Sequence, residues 1–483
     1  MYKLSQHINP NKIFIINRSE LEGRLDAQFY REAFNFDSFS KLSNYALVKG
    51  GKRIPLGMDY AAEETPYLYL RVADINIENA VNYNTFKFID QSIFDILERY
   101  EIKENDLAIS IAGTIGKTIL LKNIPTGKRV ILTENCAKII IKDSNILAEY
   151  LELVLNLSIV QKQIELNYIQ TTIPKLGLDR INNLKLPPFP NKSIQQQIID
   201  IYQTAYQQKQ EKETQAQALL ASIDDYLLGE LGITIPTENI VYEPVDLYGF
   251  ELNKHNSLVK KGRLFLTGFR EIGGGRFDPE YISKIHYIES LQSKYPFIAM
   301  KDILVKQPQY GANEEAIDGN CQIDTRYIRI TDIDEIGNLK QSGWKTAVNI
   351  EEQYSLSYND VLFARSGSVG KCYIHKETSN PAIFAGYLIR FVFNEKVNPD
   401  YIFYYCNSKL YWFWIRAIQR PAVQSNINSE EYKSLKIPLP PLEKQNKIVQ
   451  YISEIRKQVK DLQIEATNIL YHAKEKVEQI ILQ

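Results

Sequence analysis

The feature that most restricts how this chain folds is that it contains one pattern twice. Arg24-Leu25-Asp26 returns as Arg276-Phe277-Asp278, and the run from Tyr69 to Ile75 returns as Tyr327 to Ile333. Asn105-Asp106-Leu107 is echoed by Asn359-Asp360-Val361, and Gly113-Thr114-Ile115-Gly116-Lys117 by Gly367-Ser368-Val369-Gly370-Lys371. Leu184-Lys185-Leu186-Pro187 closes the series in one copy and Leu435-Lys436-Ile437-Pro438 in the other. The offset stays near 250 residues, drifting by a few as small loop insertions would make it drift. One period is half the chain, so this is a duplication and not a solenoid of short units. Two copies in one chain imply a pseudo-two-fold axis, the symmetry with which proteins read separated half-sites on DNA.

Each copy has two parts. The first, about 160 residues long, alternates short β-branched and aromatic runs with turn signals. Tyr67 to Ile75, Leu107 to Ala112, Ile139 to Ile141, Tyr327 to Ile333 and Ala385 to Phe393 read as strands, and Ala148 to Glu165 and Pro399 to Arg416 as helices. The second part is a helix of about 40 residues. Ile448, Ile452, Ile455, Val459, Leu462, Ala466, Ile469 and Ala473 step by threes and fours, which is a heptad seam. The first copy has Ile194, Ile198, Ile201 and Ala205, a polar stretch from Gln207 to Gln215, then Leu219, Leu220, Ile223 and Leu227. Gly229 and Gly232 end it. That polar middle needs a partner helix, and antiparallel pairing with its sister supplies one. Such a helix spans roughly 60 Å, against about 34–36 Å between half-sites one turn of B-DNA apart. A helix pair of that length serves as a spacer between two reading domains.

The fold class is therefore α+β: two mixed α/β domains joined by two long antiparallel coiled-coil helices, with an internal pseudo-two-fold repeat. The boundaries fall at 1–188 for the first domain, 189–232 for its helix, 233–262 for a linker, 263–439 for the second domain and 440–483 for the last helix.

Composition removes several function classes. Hydrophobic residues at 44% and charged residues at 24% are those of a globular chain. Cys136, Cys321, Cys372 and Cys406 are too scattered for a disulfide framework. Met1 to Asn17 lacks the pattern of a secretory leader, and the apolar stretch Pro381 to Phe393 is short and holds Arg390. A cytoplasmic protein with no membrane contact is expected. The net charge of −1 is awkward for a nucleic-acid binder and suggests that partner subunits supply part of the attraction. The 31 tyrosines suit β-rich domains and interfaces alike.

The catalytic motifs that suggest themselves are incomplete. Gly113 to Thr118 ends in Gly-Lys-Thr, but a phosphate loop needs a glycine where Ile111 stands, and the second copy has Arg365 there and Cys372 for the hydroxyl. A tight repeated turn is the better reading. Gly273-Gly274-Gly275 lacks dinucleotide spacing and reads as a loop. No Asn/Asp-Pro-Pro-Tyr/Phe motif holds a target amine, since the Pro-Pro pairs are Pro187-Pro188 and Pro440-Pro441, at matching places. Pro399-Asp400 with Glu431-Tyr432-Lys433 resembles a nuclease metal motif, but Ala148-Glu149 replaces Pro399-Asp400 in the other copy. Cys372 and His375 lack the second pair that structural zinc requires, and His7, His255, His286 and His472 are isolated.

The order of globular domain, Leu435-Lys436-Ile437-Pro438-Leu439-Pro440-Pro441-Leu442-Glu443-Lys444-Gln445 and long helix, present twice, resembles the specificity subunit (HsdS) of type I restriction-modification systems along the whole chain. The first helix departs from the form, because Pro187 to Ser193 lacks the acid found at Glu443. The resemblance implies two target-recognition domains, each reading half of a split site on double-stranded DNA. It also implies two adenine methyltransferase subunits and restriction subunits as partners. The chain itself then has no catalytic residue, metal or cofactor; S-adenosylmethionine belongs to the methyltransferase, and ATP and Mg to the restriction subunit. The competing readings are a two-domain scaffold without DNA and a self-contained DNA-modifying enzyme.

Base readout calls for long donors on loops: Arg or Lys for guanine and phosphate, Gln or Asn for adenine. The first copy offers Lys49, Lys52, Arg53, Arg71, Lys117, Gln170 and Thr172. The second offers Gln307, Gln309, Tyr310, Arg329, Arg365, Lys371, Gln424 and Asn426. Arg71 and Arg329 also have ion-pair partners nearby in Asp74 and Asp332. The divergent loops Lys49–Gly57 and Lys306–Gly311 are the better places for readout, since domains that share a scaffold but read different bases differ there.

Overall fold

The repeat survives in three dimensions down to individual hydrogen bonds. The computed structural model describes residue 15 and residues 38–75, 81–167, 174–234, 279–340, 343–419 and 426–482. Its contacts separate two units, residues 1–211 with 465–483, and residues 212–464. The Arg24 and Arg276 motifs, most of the expected linker, and Gly273 to Gly275 lie outside the described residues.

In the first unit the strands are β1 (Ser40–Lys41), β2 (Ala46–Gly50), β3 (Tyr67–Leu70), β4 (Lys87–Phe88) and β5 (Glu101–Ile102). They continue as β6 (Leu107–Ser110), β7 (Thr118–Leu120), β8 (Arg129–Leu132), β9 (Cys136–Ile141) and β10 (Lys185–Leu186). One sheet has the order β2-β9-β6-β7 and is antiparallel throughout. The other has the order β4-β3-β8-β5, with β3 and β8 parallel. Strand β6 is buried on both faces, which is why Leu107-Ala108-Ile109 reads as an unbroken apolar run. Leu107 and Ile109 point into a core with Tyr150, Leu151 and Val154, while Ala108 points into a second core with Leu68, Val130 and Leu132.

The second unit repeats this plan. Its strands are β11 (Phe297–Ala299), β12 (Gln309–Tyr310), β13 (Ala316–Asp318), β14 (Arg326–Ile328) and β15 (Lys345–Ala347). Next come β16 (Val361–Ala364), β17 (Cys372–Ile374), β18 (Ala382–Phe384), β19 (Leu388–Phe391) and β20 (Lys436–Pro438). The order β12-β19-β16-β17 matches the first unit, β14 and β18 are again parallel, and β11-β20 answers β1-β10. Val361 and Phe363 face one core, and Leu362 and Ala364 another.

Two expectations change in detail. The runs from Tyr67 and Tyr327 are not strands to their ends: each turns into one 3-10 turn, Val72–Asp74 and Ile330–Asp332. The helices expected at Ala148–Glu165 and Pro399–Arg416 are each two, Ala148–Leu155 with Ser158–Asn167 and Pro399–Tyr405 with Lys409–Ile418. The breaks fall at Asn156 and Asn407, whose amides fold back on the carbonyls of Glu152 (2.8 Å) and Phe403 (2.7 Å). A side chain that competes for the helix's own acceptors ends the helix there.

The long helices run over Lys192–Leu231 and Leu442–Leu482, so Gly229 sits inside the first, and Gly232, with φ of 68°, follows it. A buried glutamine fixes each start. Gln195 Nε2 donates to the carbonyls of Asn145 and Pro190, and its Oε1 accepts from Leu147 N–H. Gln445 does the same with Lys396, Pro440 and Asn398. In the first unit Ile198 and Ile199 pack with Val477 and Ile481. In the second, Ala216 packs with Ile455 and Val459, the Tyr226 and Tyr451 rings lie 3.9 Å apart, and Lys444 pairs with Glu230. Numbers rise on one helix as they fall on the other, so the pair is antiparallel. Burying each seam isoleucine contributes about 1.5–3 kcal/mol.

A close backbone approach ties the β2 and β12 loops to their domains. Gly51 N–H donates to the Cys136 carbonyl (3.0 Å), Lys52 N–H to that of Leu132 (2.9 Å), and Tyr69 Oη to that of Lys52 (2.7 Å). Gly311 donates to Leu388 (3.2 Å), Ala312 to Phe384 (2.9 Å), and Tyr327 Oη to Ala312 (2.7 Å). A Cβ on Gly51 would lie 2.0 Å from the Thr133 carbonyl oxygen, and one on Gly311 2.4 Å from that of Ala385. Gly51→Ala and Gly311→Ala are each predicted to cost about 1–3 kcal/mol in denaturant unfolding, because backbone must move to admit the methyl. Unchanged stability in both variants would contradict the shared anchor.

Candidate nucleic-acid interface

The anchored glycines put the two copies in register residue by residue: Lys49 answers Gln309, Arg53 answers Asn313, and Glu134 on the facing loop answers Gly386. In the first unit Lys49 and Lys52 are exposed, and neither amine has a partner among the described residues. Arg53 is exposed too, and its Nε donates to Glu134 Oε1 (2.7 Å). That bond raises the guanidinium above its ordinary value. Burial works to raise the Glu134 carboxyl, but hydrogen bonds from Arg53, its own N–H and Thr133 outweigh it and hold it low. Lys117 is half-buried on the glycine turn. Gln170, Thr172 and Gln424 lie outside the described residues.

Several of the expected contact residues also hold the domain together. Asp74 accepts from Arg71 N–H (2.8 Å), Nε (3.0 Å) and a terminal nitrogen (2.6 Å), closing the 3-10 turn, and Asp332 holds Arg329 in the same way. Hydrogen bonding to the acid raises both guanidinium values. Lys371 is buried and donates to Glu335 (2.7 Å) and the Ile333 carbonyl. Gln309 accepts from Arg390 and donates to the Gln353 carbonyl (3.1 Å). Tyr310 lies under Arg365 (4.6 Å to the ring centre) and bonds Ser429 through its hydroxyl. Gln307 accepts from Lys433 (3.1 Å). Asn426 is exposed beside Ser366, where the two form a bridge.

The glycine turn is a hairpin and not a phosphate cradle. Gly116 and Gly370 have φ of 87° and 92°, and their N–H groups donate back to the carbonyls of Ser110 (2.9 Å) and Ala364 (3.1 Å). The nuclease-like residues are dispersed in their bonding: Asp400 accepts from Lys376, Glu431 accepts from the Asn428 backbone N–H, and Tyr432 is fully buried. His375 shares a hydrogen bond with Tyr373 (3.0 Å). Among the described residues no cluster of three or more His, Cys, Asp or Glu side chains could hold a metal, and no helix is long and apolar enough to cross a membrane.

The second unit has a groove of about 690 Å³ on this face, lined by Asn313, Arg329, Ser366, Ser368, Gly386 and Tyr387. Asn313, Glu134 and Gly386 were not legible as site residues. Their only signal is strand register, which pairs positions far apart in sequence.

The profile of the type I restriction modification DNA specificity domain matches residues 46–220 and again 292–468, one match per copy. The chain belongs to the type I specificity-subunit family. Its fold resembles a chain from a study of the structural basis of complex assembly and conformational transition of the type I R-M system, at 13% identity and TM-score 0.49, over 92% of this chain and 96% of that one. It also resembles the type I S subunit from M. genitalium, at 11% identity and TM-score 0.40 over 92% and 95%. The HsdS subunit from Thermoanaerobacter tengcongensis gives 14% identity and TM-score 0.33 over 92% and 95%.

For a specificity subunit, the geometry separates framework cations from free ones. Lys49→Ala and Lys52→Ala are each predicted to lower the slope of log affinity for DNA against log salt by about 1, with melting temperature unchanged. Arg71→Ala is predicted to leave that slope alone and to cost roughly 1–3 kcal/mol of stability, since Asp74 keeps the backbone N–H but loses both guanidinium bonds. The opposite pattern would place Arg71 on the phosphates.

Proposed function

We propose that this chain reads a gapped, two-part site on double-stranded DNA, one part with each copy of the repeat, and directs adenine methylation and restriction by partner subunits. The observation that carries this reading is a shared scaffold with unlike side chains on one face. The two units keep the same sheets, anchors and turns while Lys49, Lys52, Arg53 and Glu134 give way to Gln309, Ala312, Asn313 and Gly386. A duplicated domain whose framework is retained and whose loop chemistry changes suits two different half-sites. Each long helix, at 40 and 41 residues, offers a continuous surface on which two methyltransferase subunits dock.

The chemistry then lies with the partners. Methyltransferase subunits bind S-adenosylmethionine and flip the target adenine out of the stack, and restriction subunits bind ATP and Mg. This chain supplies base-edge contacts for specificity and phosphate contacts for register. With a net charge of −1, it relies on its partners for part of the attraction to the duplex. That same charge is what favours the second reading, a two-domain scaffold without DNA.

A genome-wide map of modified adenines, in host cells with and without the gene, separates the two. A gapped motif methylated only when the gene is intact is the expected result. Adenine methylation that is active and unchanged on deletion would leave the scaffold reading in its place.

A further inference from the structure

We propose that one backbone position, occupied by Arg53 in the first copy and Asn313 in the second, selects a guanine in one half-site and an adenine in the other. This inference rests on the DNA-reading function above and names the readout at its loops.

The position is defined by geometry and not by sequence alignment. In each copy it lies two residues beyond the glycine that presses against the facing loop, after a residue whose N–H and carbonyl are both held. The Cα path is therefore fixed by the same three hydrogen bonds in both. What differs is the side chain and the group opposite it. In the first copy that group is Glu134, which accepts from Arg53 Nε and is itself held by Thr133 Oγ1 (2.9 Å). The Arg53 side chain is 78% exposed, and neither terminal nitrogen has a partner among the described residues. An arginine gripped along its Nε edge presents its terminal nitrogens as an oriented fork, the donor pair that fits guanine O6 and N7. A bare lysine or an ungripped arginine contacts phosphate as well as base, but here the carboxylate sets the direction of the fork.

In the second copy the acid is replaced by Gly386. A Cβ there would sit 2.0 Å from Asn313 Oδ1, so the carboxamide lies directly over the glycine. Asn313 is exposed at the groove, and its amide carries no hydrogen bond among the described residues. One donor and one acceptor side by side, with no acid to bias them, match adenine N7 and N6. The exchange of Arg and Glu for Asn and Gly is thus concerted: each reader comes with the neighbour that its orientation needs.

The test maps methylated motifs in cells carrying the complete complex with the unaltered chain, Arg53→Ala, Arg53→Lys, Asn313→Ala or Gly386→Ala, at matched levels of complex. Both Arg53 variants are expected to relax a single G·C position in one half-site by roughly tenfold or more, leaving the other half unchanged. Lysine keeps the charge and can still reach guanine but loses the oriented fork, so a phosphate contact would be unmoved by Arg53→Lys while guanine selectivity would fall. Asn313→Ala and Gly386→Ala are expected to relax one and the same A·T position in the other half. A motif unchanged in all four variants, a uniform fall in methylation without relaxation, or relaxation at a different base overturns the assignment while the DNA-reading function stands. Should the unaltered chain direct no gapped motif, that function fails first, and this inference with it.

Discussion

The close approach of one glycine to the facing loop holds the rest of each domain's reading face in place. With no Cβ at Gly51 or Gly311, the loop backbone reaches the ends of β8 and β18 and hydrogen-bonds across both sheets of its domain. The tyrosines on β3 and β14 then lock the following carbonyl. Everything beyond that point projects from a position settled by backbone contacts and indifferent to side-chain identity. A loop anchored in this way tolerates exchange of its exposed residues, because their replacement costs the framework nothing.

The same separation of framework from surface appears elsewhere. Asp74 and Asp332 each consume an arginine to close a 3-10 turn, and the Gln195 and Gln445 side chains each satisfy three backbone groups where a long helix begins. Buried polar groups persist when all their partners are present, and both copies keep all of them. The copies diverge where solvent supplies the partners. Lys117 is half-exposed on its turn, whereas its counterpart Lys371 is buried against Glu335. Matching positions in a duplication need not share a role.

Much of the fold was legible in the sequence because its signals are local or periodic. The heptad seam from Ile448 and the glycine turns need only neighbours a few residues away, and the repeat shows as short motifs that recur about 250 residues on. Helix breaks at Asn156 and Asn407 were missed, since a polar residue inside an amphipathic pattern reads as a solvated position until its amide is seen on the carbonyl four residues earlier. The site was harder. Arg53 and Glu134 are 81 residues apart and meet only through strand register, and the Gly386 that frees Asn313 carries no motif at all. Conversely, Arg71, Arg329, Lys371 and Gln309 have the right chemistry for DNA and also carry hydrogen bonds inside the domain. Residue type gives capacity; only the fold says whether that capacity is free.

The central claim is that two copies of one scaffold each read their own part of a split site. The most direct measurement is the affinity of the assembled complex for a duplex carrying the full motif, against duplexes with one half or the other scrambled, across a range of salt. The account predicts that each scrambled half weakens binding by a similar order, while the salt slope stays close to that of the intact site. Equal affinity for all three duplexes, or a loss confined to one half, would contradict it.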